Sequence, residues 1–186
     1  MGNRGGVLHT ENREIVRPFA GWRWIACLLE FKGWHRQVMS PNRYTELFFL
    51  DEAVALAAGH RPCAECRRER FNAFREAWRG SAASGGTDRL LAPEMDAELH
   101  PARIDKRRGK VTYQACLDAL PDGCFIRIDD GDYLVWEDAL HLWSPEAYVY
   151  QIPRTSATVT VLTPEPVVRC LRQGYRPAVH ESALVL

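Results

Sequence analysis

Cys63 and Cys66 are separated by two residues in Arg61-Pro62-Cys63-Ala64-Glu65-Cys66. At that spacing the backbone can curl until both sulfurs reach one ion, at about 2.3 Å from a Zn²⁺. The same spacing serves a dithiol redox pair, but such a pair is expected in a thioredoxin-like βαβ setting, which the flanking residues do not provide. The chain carries six cysteines, enough for three disulfides. Its opening, MGNRGG, has no apolar leader, so a reducing compartment and metal chemistry are expected instead. Cys116, Cys124 and Cys170 show no metal-ligand spacing and read as small core hydrophobes.

The residues before the pair have to position it. Glu46 to Leu50 is a short apolar run that reads as a strand. Asp51 is a good N-cap, Glu52 suits a first turn, and Ala53 to Ala58 is a strong helix former stopped by Gly59. Arg61-Pro62 turns the chain, and a second helix is expected from about Cys63 to Trp78, with Phe71, Phe74 and Trp78 on its core face.

Over residues 44–70, Glu52-Ala53, Leu56-Ala57-Ala58-Gly59, Arg61-Pro62-Cys63 and Cys66 fall in one register. Together they resemble the second half of the zinc-binding module of the Ada family of DNA alkylation-repair proteins. The resemblance implies a zinc site completed by a second ligand pair upstream, with three residues between its members. This chain has no Cys-x-x-x-Cys; upstream it offers Cys27, His9 and His35. The implied ligand set is Cys27, Cys63, Cys66 and His9, with His35 as the alternative fourth ligand. Cys27 lies within Trp22 to Phe31, a stretch of β-formers, where a packed core thiol is the competing reading. Val7-Leu8-His9 is expected to pair beside that strand, and His60 is read as a flank. Methyl transfer in the family uses a zinc-bound thiolate of the upstream pair, so the resemblance implies the metal here and not the transfer.

A nucleic-acid partner, DNA or RNA, is suggested by that resemblance and by two basic groups. Arg67, Arg68 and Arg75 lie on the helix after the cysteines, interleaved with Glu65, Glu69 and Glu76; a solvated face accounts for the same residues. Arg107, Arg108 and Lys110 belong to the densest basic stretch, 103–110, with Tyr113 close by to stack on a base. Another protein is the second class of partner, which exposed aromatics among Trp136, Trp143, Tyr148 and Tyr150 would mark. An enzyme with its site at the junction of the two parts is the third class. No Ser/His/Asp grouping, Gly-rich phosphate loop or H-E-x-x-H anchors a mechanism for it.

The 186 residues carry no net formal charge, with residues 1–80 four charges positive and the rest four negative. No apolar run approaches the ~18 residues of a membrane span, so no membrane partner is expected and the cytoplasm is the expected location. The change of sign falls at the Gly- and Ser-rich stretch 81–89, read as a linker or loop between a zinc module, 1–80, and a second part, 90–186, with packing of the two as a single domain left open. In that part a short acidic helix near Pro93, a helix from Val111 to Leu120 and then a run of strands are expected. These are Cys124–Ile128, Tyr133–Glu137, Leu140–Trp143, Tyr148–Ile152 and Ala157–Leu162, closed by a helix from Val167 to Gln173. Asp129, Asp130 and Asp132 read as a hairpin turn, since a calcium loop would need a closing Glu. The expected class is α+β, a zinc-knuckle module followed by a mainly antiparallel β unit.

Overall fold

The computed structural model describes residues 1–33, 37–81 and 90–185. Its class is α+β, with a small mixed sheet and a six-stranded antiparallel one.

The small sheet is built from β1 (Gly2–Arg4), β2 (Trp24–Ala26) and β3 (Arg61–Pro62), in that order. β1 runs antiparallel to β2, and β3 runs parallel to it, with Ile25 beside Arg61 and Ala26 beside Pro62. The strand expected around Cys27 is therefore shorter, and the chain's first residues take the place beside it that Val7 to His9 were expected to fill. Gly2 permits this: a Cβ there would lie 2.6 Å from the Phe49 ring and 3.2 Å from His60 Cδ2. Of the strand expected over Glu46 to Leu50, a single bridge remains, Gly2 to Leu47.

Helix α1 (Glu52–Ala57) forms where its local signals sit. Asp51 Oδ1 accepts the Val54 amide at 2.8 Å, and Gly59 stops the helix at φ +83°, a left-handed geometry that favours glycine. Helix α2 (Arg68–Ser81) begins five residues later than the sequence suggests, because residues 64–67 turn around the cysteine pair. It buries Phe71, Phe74, Ala77 and Trp78, the face its periodicity marks. Each large side chain so buried contributes about 1.5–3 kcal/mol. Ser81 closes α2; the rest of the expected linker, 82–89, lies outside the described residues.

Helix α3 (Ala92–Arg103) is followed by β4 (Tyr113–Cys116), where a helix was expected. Val111, Thr112 and Tyr113 are β-formers, and β4 pairs with β9 (Thr158–Val161), a strand too distant for local pattern to foresee. Strands β5 (Phe125–Ile128), β6 (Gly131–Trp136), β7 (Ala139–Trp143) and β8 (Tyr148–Pro153) form a meander, and the full order is β4-β9-β5-β6-β7-β8. Asp129 and Asp130 make the β5–β6 turn, while Asp132 pairs with Arg127 across it at 2.7 Å. Helix α4 (Glu165–Arg172) packs against α2. Leu56, Phe71, Phe74 and Trp78 enter the same core as Met95, Ile126, Val161 and Val168, so both sides of 81–89 contribute to it.

Candidate metal centre

The parallel pairing of β2 and β3 builds the centre. With Ala26 opposite Pro62, the next residue on each strand is a cysteine, Cys27 and Cys63, and the Cys63 amide donates to Ala26 O at 2.9 Å. The turn over 64–67 then swings Cys66 back onto the same spot. The three Sγ atoms all lie within 4.8 Å of one another. A tetrahedral zinc with Zn–S of about 2.3 Å has its sulfurs about 3.8 Å apart, a separation inside that limit.

Backbone donors surround the sulfurs. The Leu28 amide donates to Cys66 Sγ at 3.3 Å and the Glu65 amide to Cys63 Sγ at 3.5 Å. Amides aimed at sulfur stabilise thiolates, the form that binds metal. The hydrogen bond from the Cys27 thiol pushes Cys63 down to about 4, and that same bond, with burial, holds the Cys27 thiol up. Burial raises Cys66. Three thiols this close cannot all ionise beside one another unless a cation joins them. The donor set therefore fits a thiophilic divalent ion and supplies three of its ligands. All six cysteines of the chain are free thiols.

His9 is not brought to this cluster. Its ring is buried with Nδ1 2.6 Å from Thr45 Oγ1, and the same hydroxyl accepts the Leu8 amide at 2.7 Å. Instead of lying beside β2, His9 bridges to Ile15, a local pairing that turns it away from the β2–β3 edge. His35 lies outside the described residues. A cavity of about 320 Å³ opens on the three cysteines, walled mainly by Ile25, Leu28, Leu29, Phe31, Val38 and Phe48. His60, read as a flank, is fully buried between Trp24 and Phe49, at centroid distances of 5.3 and 4.7 Å. Burial, then Arg4 and Arg103, hold it neutral.

The arginines proposed from sequence divide. Arg67 and Arg75 lean on carboxylates, Glu52 at 3.7 Å and Glu76 at 3.9 Å. Arg68, Arg107 and Arg108 are exposed. Arg107 and Arg108 sit in a turn organised by Asp105, whose Oδ1 accepts the amides of Arg107 and Gly109, both at 2.8 Å. Lys110 Nζ instead donates to Ala57 O at 2.7 Å, at the end of α1. Sequence reasoning passed over Arg4 and took Arg103 only as the start of the basic stretch 103–110; both stack on Trp24, at 4.3 and 4.1 Å. No local signal marks their meeting, which depends on β1, β2 and the end of α3 converging.

No helix among the described residues is long and apolar enough to cross a membrane. Compared with known proteins, the chain matches no family model, no curated protein and no solved structure.

Proposed function

We propose that this is a zinc protein whose metal, held by Cys27, Cys63 and Cys66, fastens the β2–β3 edge to the start of α2, and that its partner is nucleic acid. The observation that carries the metal is the meeting of three Sγ atoms within 4.8 Å from positions 27, 63 and 66. The choice of zinc follows from thiolate ligands and the resemblance of residues 44–70 to the Ada zinc module. A site of this kind contributes its binding free energy to folding. The fourth position falls to His35 or to a water molecule.

Native mass spectrometry with metal analysis tests the centre. The wild-type chain is expected to carry one zinc, and Cys27→Ser, Cys63→Ser and Cys66→Ser to lose it. His9→Ala is expected to keep it, since Thr45 holds that ring elsewhere. Loss of zinc in His35→Ala would name the fourth ligand, and retention would leave that place to solvent. A wild-type chain that takes up no metal sinks the proposal.

Nucleic acid is the partner favoured by the Ada-like segment and by exposed Arg68, Arg107 and Arg108. Binding of DNA and RNA oligonucleotides should weaken steeply with salt, and each of these arginines changed to alanine should reduce the slope by about one. Binding insensitive to salt and to these changes would remove the nucleic-acid half while leaving the metal. A protein partner is the second reading. Its support is the apolar rim of the cysteine cavity, where Leu29 is 69% and Phe48 59% exposed. Of the aromatics that would mark it elsewhere, Trp136 and Tyr148 are buried, Trp143 is half-buried and Tyr150 is 53% exposed.

A further inference from the structure

A second cavity, of about 360 Å³, lies where the small sheet, α1, the end of α3 and the large sheet meet. Four cationic side chains line it: Arg4, Arg103, Arg108 and Lys110. The one carboxylate in its wall, Asp132, is already held by Arg127, at 2.7 and 2.9 Å. Asp96, which also acts on Arg103, is bidentate to Arg61 at 2.9 and 2.8 Å. No ion pair among the described residues involves the four cations. Arg103 donates to Gly59 O and Trp22 O and meets His100 Nδ1 at 3.4 Å, Lys110 donates to Ala57 O and Arg4 to Pro18 O, and Arg108 lies over the Phe19 ring.

Capping of the α1 carbonyls explains part of this arrangement, because Arg103 and Lys110 sit at that helix end. It does not explain why Arg4 and Arg108 converge on the same space. Nor does it explain three buried N–H donors without an acceptor on lining residues, Arg4 Nε, Arg103 Nε and Trp143 Nε1. Arg103 itself is 2% exposed. Arg103 is buried and Arg4 half-buried, both over the Trp24 ring, while Arg108 and Lys110 reach the cavity from exposed positions. Bringing four like charges to one space, one of them buried, is unfavourable unless an anion joins them. Burial, with other cations nearby, pushes Arg103 down to about 9 and Lys110 down to about 8. The remaining wall is apolar, with Val54, Ile104, Phe125, Trp143 and Leu162 prominent. The volume is that of a small-molecule site.

We propose that this cavity binds a phosphomonoester, its phosphate among Arg4, Arg103, Arg108 and Lys110 and a flat apolar body such as a nucleobase against Phe125, Trp143 and Leu162. Guanidinium groups match phosphate oxygens in pairs, and the ammonium adds a point charge. The ligand comes either as a free nucleotide or as the phosphorylated end of a strand; the phosphate chemistry is common to both. The site is separate from the cysteine centre and does not depend on it.

Calorimetric titration of the full-length, zinc-supplemented chain with AMP, adenosine and inorganic phosphate tests the proposal. AMP should bind at least about tenfold more tightly than adenosine, and inorganic phosphate should compete with it. Arg108→Ala and Lys110→Met should each weaken AMP by about tenfold with the melting curve preserved. Lys106→Ala, which removes the same charge from the same turn but lies outside the cavity wall, should leave AMP binding unchanged. An oligonucleotide with a 5′-phosphate that binds more tightly than both AMP and its 5′-hydroxyl counterpart assigns the site to strand ends; AMP binding at least as tightly assigns it to free nucleotides. Equal binding of AMP and adenosine, or equal losses in the Lys106 and Arg108 variants, overturns the proposal. Salt-dependent nucleic-acid binding that survives such a result would leave the earlier reading standing, and AMP binding without it would leave this one.

Discussion

Glu52 is 4% exposed and surrounded by donors. Arg70 grips it through Nε at 3.1 Å and NH2 at 2.5 Å, Tyr175 Oη donates at 2.8 Å, and the Ala178 amide donates at 2.9 Å. One carboxylate therefore ties α1 to α2 and to the segment after α4. Glu52→Ala leaves the Tyr175 hydroxyl and the Ala178 amide without that acceptor, while Arg70, 37% exposed, keeps the Arg176 carbonyl; it should lower stability by about 2–3 kcal/mol in urea unfolding. Tyr175→Phe, which removes one donor, should cost about 1 kcal/mol. The sequence marks Glu52 as a first-turn acid and no more, because its partners lie as far off as Ala178. The cysteines differ in kind: C-x-x-C is a local spacing, and Cys27 is named through the resemblance of the segment that follows it. The fate of His9 was illegible for the same reason as that of Glu52, since Thr45, 36 positions away, decides where the ring points.

Among the elements, Gly59 combines two duties. It ends α1 with φ +83°, and a Cβ there would stand 2.6 Å from Arg103 Cδ. Gly59→Ala should therefore cost more than the ~1–2 kcal/mol of left-handed backbone alone, because Arg103 would have to withdraw from the Gly59 carbonyl. Paired urea denaturation of the wild type and the variant measures it; a loss no larger than about 1–2 kcal/mol would show that Arg103 yields freely. The α1 helix and the β5–β6 hairpin were legible because cap, stop and turn residues lie within them. The β4 strand was not. Its own residues tolerate either state, and the choice is made by pairing with Thr158–Val161. β3 is only two residues long and would read as a turn in any local window, yet its parallel register is what sets Cys63 beside Cys27.

At the scale of the molecule, the two parts marked by opposite net charge share side chains in one core, so their fates are joined. Chelating the metal should lower the midpoint of a single unfolding transition seen alike by far-UV and near-UV circular dichroism. Cys27→Ser should reproduce the shift and abolish further response to chelator. Two separate transitions would mean that the metal stabilises the small sheet alone. Charge balance by segment carried little information about this level. The cations that matter most, Arg4 and Arg103, come from opposite sides of 81–89 and meet only after folding.

The place of β9 in the large sheet sets a timetable for synthesis. β4 has β9 as its neighbour, and β5 needs β9 on one side, so both wait for residues 158–161. The meander from β5 to β8 can zip as it leaves the ribosome, each strand beside the one just made. Until β9 emerges, the nascent chain carries an unpaired β4 and an open β5 edge in addition to that of β8, templates for the next ribosome's product on the same message. Translation that stalls before Thr158 thus delivers a sticky half-sheet, and the four residues of β9 protect the strands made before them.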